Sequence, residues 1–298
     1  MINFVKHKKI FISISIILCL LSLSGLIFWG LKSGIDFKGG SLLEVVFPQK
    51  KENREIKEKL NSLDLGLFTI QASGEKRVIL KMKEIDENKH QEILKTLEDP
   101  EEIRFSNIGP IISQELIKKA WGAIILAVIL IIFYIAIAFR KISRLFGAAE
   151  SWRWGLGAIL ALGHDILIML GLFAFLGFFK GTEIDVNFVT AILVVLGYSV
   201  NDTIVIYDRI RENLLFSKSN DFPLIVNQSL NDTLLRCLNT TLTTIVAVLA
   251  VYLFAGSSIR DFALAMMVGV STGAWSSWAV ATPFLLWRRK TAPVKIRR

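Results

Sequence analysis

Residues 120–139 read AWGAIILAVILIIFYIAIAF, twenty positions without a charge. An α-helix rises 1.5 Å per residue, so this run is about 30 Å long, the thickness of a bilayer's hydrocarbon core. Water is absent there, and a lone segment can satisfy its own backbone N–H and C=O groups only as a helix. Working outward, runs of the same kind give six spans, at 10–31, 120–139, 154–178, 186–207, 235–255 and 262–286. The chain of 298 residues is 53% hydrophobic and 20% charged, more apolar than a soluble domain of this length needs. A plain soluble enzyme and a disordered chain are both excluded. The first span has the basic start of a signal peptide (Lys6, Lys8, Lys9), but its apolar stretch is too long and no small-x-small site follows. An uncleaved first helix is expected.

The net charge of +9 belongs to the flanks of these runs. Residues 32–119 hold 16 basic and 16 acidic residues, and the remainder holds 19 and 10, which accounts for the whole excess. The segments at 6–9, 140–153, 209–218 and 288–298 carry 16 Lys and Arg, whereas the opposite ends carry only Lys180 and Arg260. Basic flanks stay in the cytosol. Both termini are therefore expected inside, residues 32–119 outside, and short outer turns at 179–185 and 256–261. This is membrane topology rather than a nucleic-acid-binding face. Cys19 and Cys237 both lie in apolar runs, and only three histidines are present. No disulfide framework, metal site or cofactor is expected from that inventory.

Residues 41–108 alternate in type. Residues 41–47, 66–72, 77–82 and 103–108 are strand-like, with Ser73 and Gly74 turning the middle pair. Residues 51–63 and 88–97 place Ile56, Leu60 and Leu63, then Ile93, Leu94 and Leu97, at helical spacing. The order βαββαβ predicts a small ferredoxin-like α+β domain whose helices face a sheet through those residues. It has no nucleophile–base pair and no phosphate-binding loop, so a binding or spacer module is expected. The fold class is thus a polytopic α-helical membrane protein with one external α+β domain between its first two helices. The chain divides at 1–31, 32–119 and 120–287, with a basic cytosolic tail at 288–298.

At the exit of the first span stands Gly34-Ile35-Asp36-Phe37-Lys38-Gly39-Gly40. Its glycines permit positive-φ turns, and Asp36 can accept from nearby backbone amides. The residues alone read as a stiff turn that sets the angle of exit.

Ionisable residues at bilayer depth are costly and face a bundle interior or a wet path. Asp202 lies sixteen residues into the fourth span, about 24 Å deep, with Tyr198 and Ser199 one turn away. Arg236, on the returning fifth span, reaches similar depth. Arg236, Asn239, Thr240, Thr243 and Thr244 form a polar stripe at helical spacing, read as a buried seam. A carboxylate that is neutral when buried and charged beside a cation can carry protons. The alternative is that Arg236 reaches the interface and pairs with Asp232 at i−4. His164 and Asp165 in the third span are either a second proton site or a structural pair. Residues 208–213, DRIREN, read as an interfacial anchor. Ala265, Gly269, Gly273 and Ser277 repeat every fourth position, a close-packing seam for this bundle or for a partner subunit.

Together these features resemble the SecF type of the SecD/SecF family in the RND superfamily. One span, an external domain and five further spans is its layout. The turn at 34–40 is similar to its signature, with Gly34, Asp36, Gly39 and Gly40 in place. His164–Asp165, GYSVNDT at 197–203 followed by DRIREN, and Arg236 within LRCLNT at 235–240 match its intramembrane motifs. The resemblance implies a subunit of the preprotein translocase in the bacterial cytoplasmic membrane. With SecD as obligate partner it uses the proton motive force to complete export after SecA and SecYEG, with YidC among the translocase components. It implies that Asp202 and Arg236 belong to the proton path. No covalent chemistry is expected, so the chain is not read as an enzyme. A half-size RND exporter of a small molecule or lipid is the rival reading.

Overall fold

The computed structural model describes residues 2–72, 76–217 and 219–287. The turn at Ser73–Gly74, Lys218 and the basic tail lie outside the described residues. The chain divides into two compact units, one of 1–32, 122–182 and 187–298, the other of 33–121 and 183–186. The segment 183–186, of which 183–185 was read above as outer turn and 186 as the start of the fourth span, belongs to the second unit.

The first unit is helical. Its elements are α1 (Phe4–Phe28), α5 (Pro110–Ala138, from its residue 122), α6 (Arg140–Phe146), α7 (Ala148–Lys180), α8 (Val186–Phe216, from its residue 187), α9 (Phe222–Phe254), α10 (Ser257–Ser276) and α11 (Thr282–Leu285). Among the described residues, six helices are long and apolar enough to cross a membrane. Several helices overrun the apolar runs that announce them. α8 continues through the charged residues at 208–213, and α9 begins at Phe222, ahead of its apolar run at 235–255. Hydropathy marks only the bilayer core, whereas a helix continues until its caps or a breaker stop it. Asn3 caps α1 by accepting from the Lys6 amide at 3.0 Å, and Asp221 caps α9 by accepting from Leu224 at 3.2 Å. α7 starts after Gly147 at φ 95° and stops at Gly181 at φ 72°. Between α10 and α11 residues Ser277–Ala281 form one π turn ahead of Pro283, the distortion expected where proline removes a helical donor.

The four-residue seam packs within this chain. A Cβ on Gly269 would meet Val195 Cγ2 at 2.3 Å, and one on Gly273 would meet Ser199 Cα at 3.0 Å. Ser277 Oγ lies 2.9 Å from Thr203 Oγ1. Ala265 is fully buried. The seam therefore fits α8 along Val195, Ser199 and Thr203, themselves four apart, which answers whether it serves the bundle or a partner.

The second unit holds α2 (Ile35–Lys38), β1 (Gly40–Val46), α3 (Asn53–Leu60), β2 (Thr69–Ala72), β3 (Arg77–Met82), α4 (Glu87–Thr96) and β4 (Glu101–Ile108). The sheet runs β2-β3-β1-β4 and every pair is antiparallel. Leu43, Val45, Val78, Leu80 and Met82 build one core with Ile56, Leu60, Leu63, Ile93 and Leu97, and Leu94 packs against it. Glu44, on the opposite face of β1, pairs with Arg77 at 3.3 Å. The turn at 34–40 contains one turn of helix. Gly39 and Gly40 have φ of 76° and 126°, and a Cβ on Gly40 would lie 2.6 Å from Met82 O, so only glycine fits there. Among the described residues Asp36 bonds none of the neighbouring amides expected from sequence; its Oδ2 accepts from the Val186 amide at 2.9 Å.

Candidate functional site

Three helices of the first unit converge on Asp165. It faces α8 and α10 from α7 and is wholly buried. Its Oδ1 lies 2.9 Å from His164 Nδ1, and its Oδ2 accepts from Ser199 Oγ at 2.5 Å and from Ser276 Oγ at 2.8 Å. Both carboxylate oxygens are thus engaged, one helix supplying each hydroxyl. Sequence spacing gave no sign of Ser276, because its relation to Asp165 depends on how α10 crosses α7. His164 Nε2 is buried without a hydrogen-bond partner among the described residues.

Asp202 lies one turn along α8 from Ser199 and is 1% exposed. Its surroundings are sparser. Thr241 Oγ1 of α9 approaches Oδ2 at 3.5 Å, and the buried Cys237 thiol lies beside the same carboxyl. One long contact and one weak thiol donor are little for a carboxylate with about four acceptor sites. Tyr198, on the same side of α8, reaches Thr244 Oγ1 at 3.1 Å. Cys237 and Thr241 are the positions that sequence reading passed over. Their spacing of four, one residue out of phase with the polar stripe, was the available signal.

Arg236 precedes Cys237 in the chain, yet its side chain is exposed. Among the described residues no ion pair joins it to Asp202. The stripe of Arg236, Asn239, Thr240 and Thr243 is likewise exposed rather than buried within this chain. Three of its threonines donate back to their own helix: Thr240 to Arg236 O, Thr243 to Asn239 O and Thr244 to Thr240 O. The local partner considered for Arg236 is taken, since Asp232 pairs with Arg209 at 2.8 Å. The anchor at 208–213 does more than pair along its own helix. Arg209 bridges Glu212 and Asp232, and Asn213 donates to Ser229 at 2.9 Å, fastening α8 to α9.

Known proteins resemble the chain in sequence and fold. The family described as protein export membrane protein SecD/SecF, C-terminal, matches residues 89–291. The chain belongs to the SecD/SecF family. It is 37% identical to the protein translocase subunit SecF of Thermobaculum terrenum, over 97% of this chain and 95% of that protein. It is 34% identical to the translocase subunit SecDF of Brucella abortus, over 96% of this chain but 37% of that longer one. The crystal structure of SecDF from Thermus thermophilus, called there a translocon-associated membrane protein, superposes with a TM-score of 0.83. That match has 28% identity and covers 96% of this chain and 38% of the other. Family membership and six apolar helices make this a multi-pass membrane protein.

Proposed function

We propose that this chain is a SecF-type subunit of the Sec translocase, which with SecD draws on the proton motive force to complete preprotein export, downstream of SecA and SecYEG and alongside YidC. The observation that carries the proton role is the environment of Asp202. It is a buried carboxyl at membrane depth with too few donors to hold it permanently ionised, beside a helix whose next residue is an exposed arginine. Burial favours the neutral form and an approaching cation the charged form. The exposed polar stripe around Arg236 would be covered by SecD. One charge crossing 100 mV is worth about 2.3 kcal/mol, enough to bias a two-state equilibrium about fiftyfold. The flanking charges favour cytosolic termini and an external 32–119. On this reading the protein is a transducer without covalent chemistry.

Preprotein export into inverted vesicles, with and without a proton gradient, tests it. Asp202→Asn and Arg236→Met should assemble normally and lose the gradient-dependent part of export, while Arg236→Lys should keep some. Full gradient-dependent export by well-assembled Asp202→Asn would end the reading. A small-molecule exporter would instead fail to co-isolate with SecD and SecYEG.

A further inference from the structure

The turn at 34–40 takes no part in the proton path described above, yet it holds the first residue of the helix that carries Asp202. Gly34 N–H donates to Ile184 O at 2.9 Å, and Ser33 and Ile184 form a parallel bridge. Lys81 of β3 pairs with Glu183 at 2.9 Å. Asp36 Oδ2 accepts from the amide of Val186, where α8 begins. All of these residues lie in the second unit, so the start of α8 is built into the external domain.

The first N–H groups of a helix have no partner within it, and a carboxylate there is favoured by the helix dipole. Asp185 already stands immediately before α8. A cap serving the helix alone needs nothing further. Asp36 comes from 150 positions away, and the same turn leads through Gly39 and Gly40 straight into β1, whose neighbour β3 carries Lys81. Turn, sheet and helix start thus form one connected piece.

We infer that Asp36 is a positioning residue that clamps the outer end of α8 to the external domain, so that a charge change at Asp202 moves the domain through the helix itself. Asp202 lies sixteen residues from Val186, about 24 Å along one uninterrupted helix. The inference rests on the proton-site reading of Asp202. Because Asp185 remains, removing Asp36 should loosen the clamp without unfolding α8.

The test uses the full chain with its partner subunit in native membranes. Arg54→Cys, at an exposed position of α3, reports on the domain through its labelling rate with an impermeant thiol reagent. That rate should differ at least twofold between Asp202 and Asp202→Asn. Adding Asp36→Ala should abolish the difference at unchanged protein level and partner co-isolation, and amide exchange at 186–189 should rise about tenfold. Asp36→Asn, which can still accept the bond, should retain the difference. A Ser33→Cys, Ile184→Cys disulfide should restore it in Asp36→Ala, and reduction should remove it again. A merely structural cap would change exchange but not the Asp202-dependent difference. Survival of that difference in Asp36→Ala overturns this inference alone. Its absence in the otherwise native chain overturns the proton-site reading together with it.

Discussion

Asp165 and Asp202 are both carboxylates closed off within one helical bundle, and they differ in what surrounds them. Asp165 has its two oxygens occupied by an imidazole and two hydroxyls from three helices. Asp202 has one long hydroxyl contact and a thiol. A buried charge is tolerated when each lone pair has a donor, and a fully satisfied network fixes a packing arrangement. Asp165 therefore reads as a joint between α7, α8 and α10. Asp202 has fewer donors, as the proposed relay requires. Of the two roles considered for His164–Asp165, the donors favour the structural one.

The largest effect should separate the two sites. Asp165→Ala leaves the Ser199 hydroxyl and the His164 imidazole without their acceptor, at about 1–3 kcal/mol for each group left unsatisfied, while Ser276 keeps Gly273 O at 3.2 Å. It should lower melting temperature in detergent sharply and reduce the amount of chain in the membrane. Asp202→Asn keeps the shape and loses little bonding, so its melting point should stay near the native one while gradient-driven export is lost. Equal destabilisation by the two changes would erase the distinction.

A smaller effect probes the seam on which Asp165 depends. Gly269→Ala drives a methyl into Val195, and overpacking of this kind costs about 1–3 kcal/mol. Val195→Ala in the same chain should recover most of the loss. Gly197 on α8 has open space at its Cβ position, so Gly197→Ala should leave the melting temperature unchanged or slightly higher. If Gly269→Ala proves neutral, the close approach of α10 to α8 is not what aligns Ser276 with Asp165.

Much of this was legible in the sequence, and the limits are physical. Apolar runs reveal spans because the bilayer penalises every exception, and strand-like runs alternating with helical spacing revealed the α+β domain through residues such as Ile56, Leu60, Ile93 and Leu97. The seam at Ala265–Ser277 was visible as spacing, but its partner α8 was not, since spacing within one helix does not name its neighbour. Arg236 and its stripe were read as buried because polar groups at depth need cover. In the single chain Arg236, Asn239, Thr240 and Thr243 are exposed, and sequence does not say whether the cover of a polar stripe lies in the same polypeptide. Asp36 was read as a local turn former because hydrogen bonds across 150 residues leave no local pattern.

The smallest effect concerns a third carboxylate, which is well paired but in water. Glu98 ends α4 at φ 69° and accepts from Lys51 Nζ at 2.6 Å and from Lys59. These bonds, that from Lys51 first, hold its carboxyl at about 2 rather than the usual 4.5. A group whose pKa is depressed on folding stabilises above its unfolded value, and the contribution is lost as pH falls through the folded one. The Lys51–Glu98–Lys59 clamp should therefore act fully at neutral pH and fade between about 4.5 and 2. Because Glu98 is exposed, solvent and salt screen it. Glu98→Gln should slightly increase amide exchange in α3 and α4 of the full chain at pH 7, and the difference from native should shrink towards pH 2 and in about 1 M salt. A difference that widens on acidification would contradict the clamp. If it behaves as expected, pairing without burial leaves a carboxylate permanently charged at neutral pH. That strengthens the contrast with Asp202, which is buried with one long hydroxyl contact and takes the opposite role in the proposed relay.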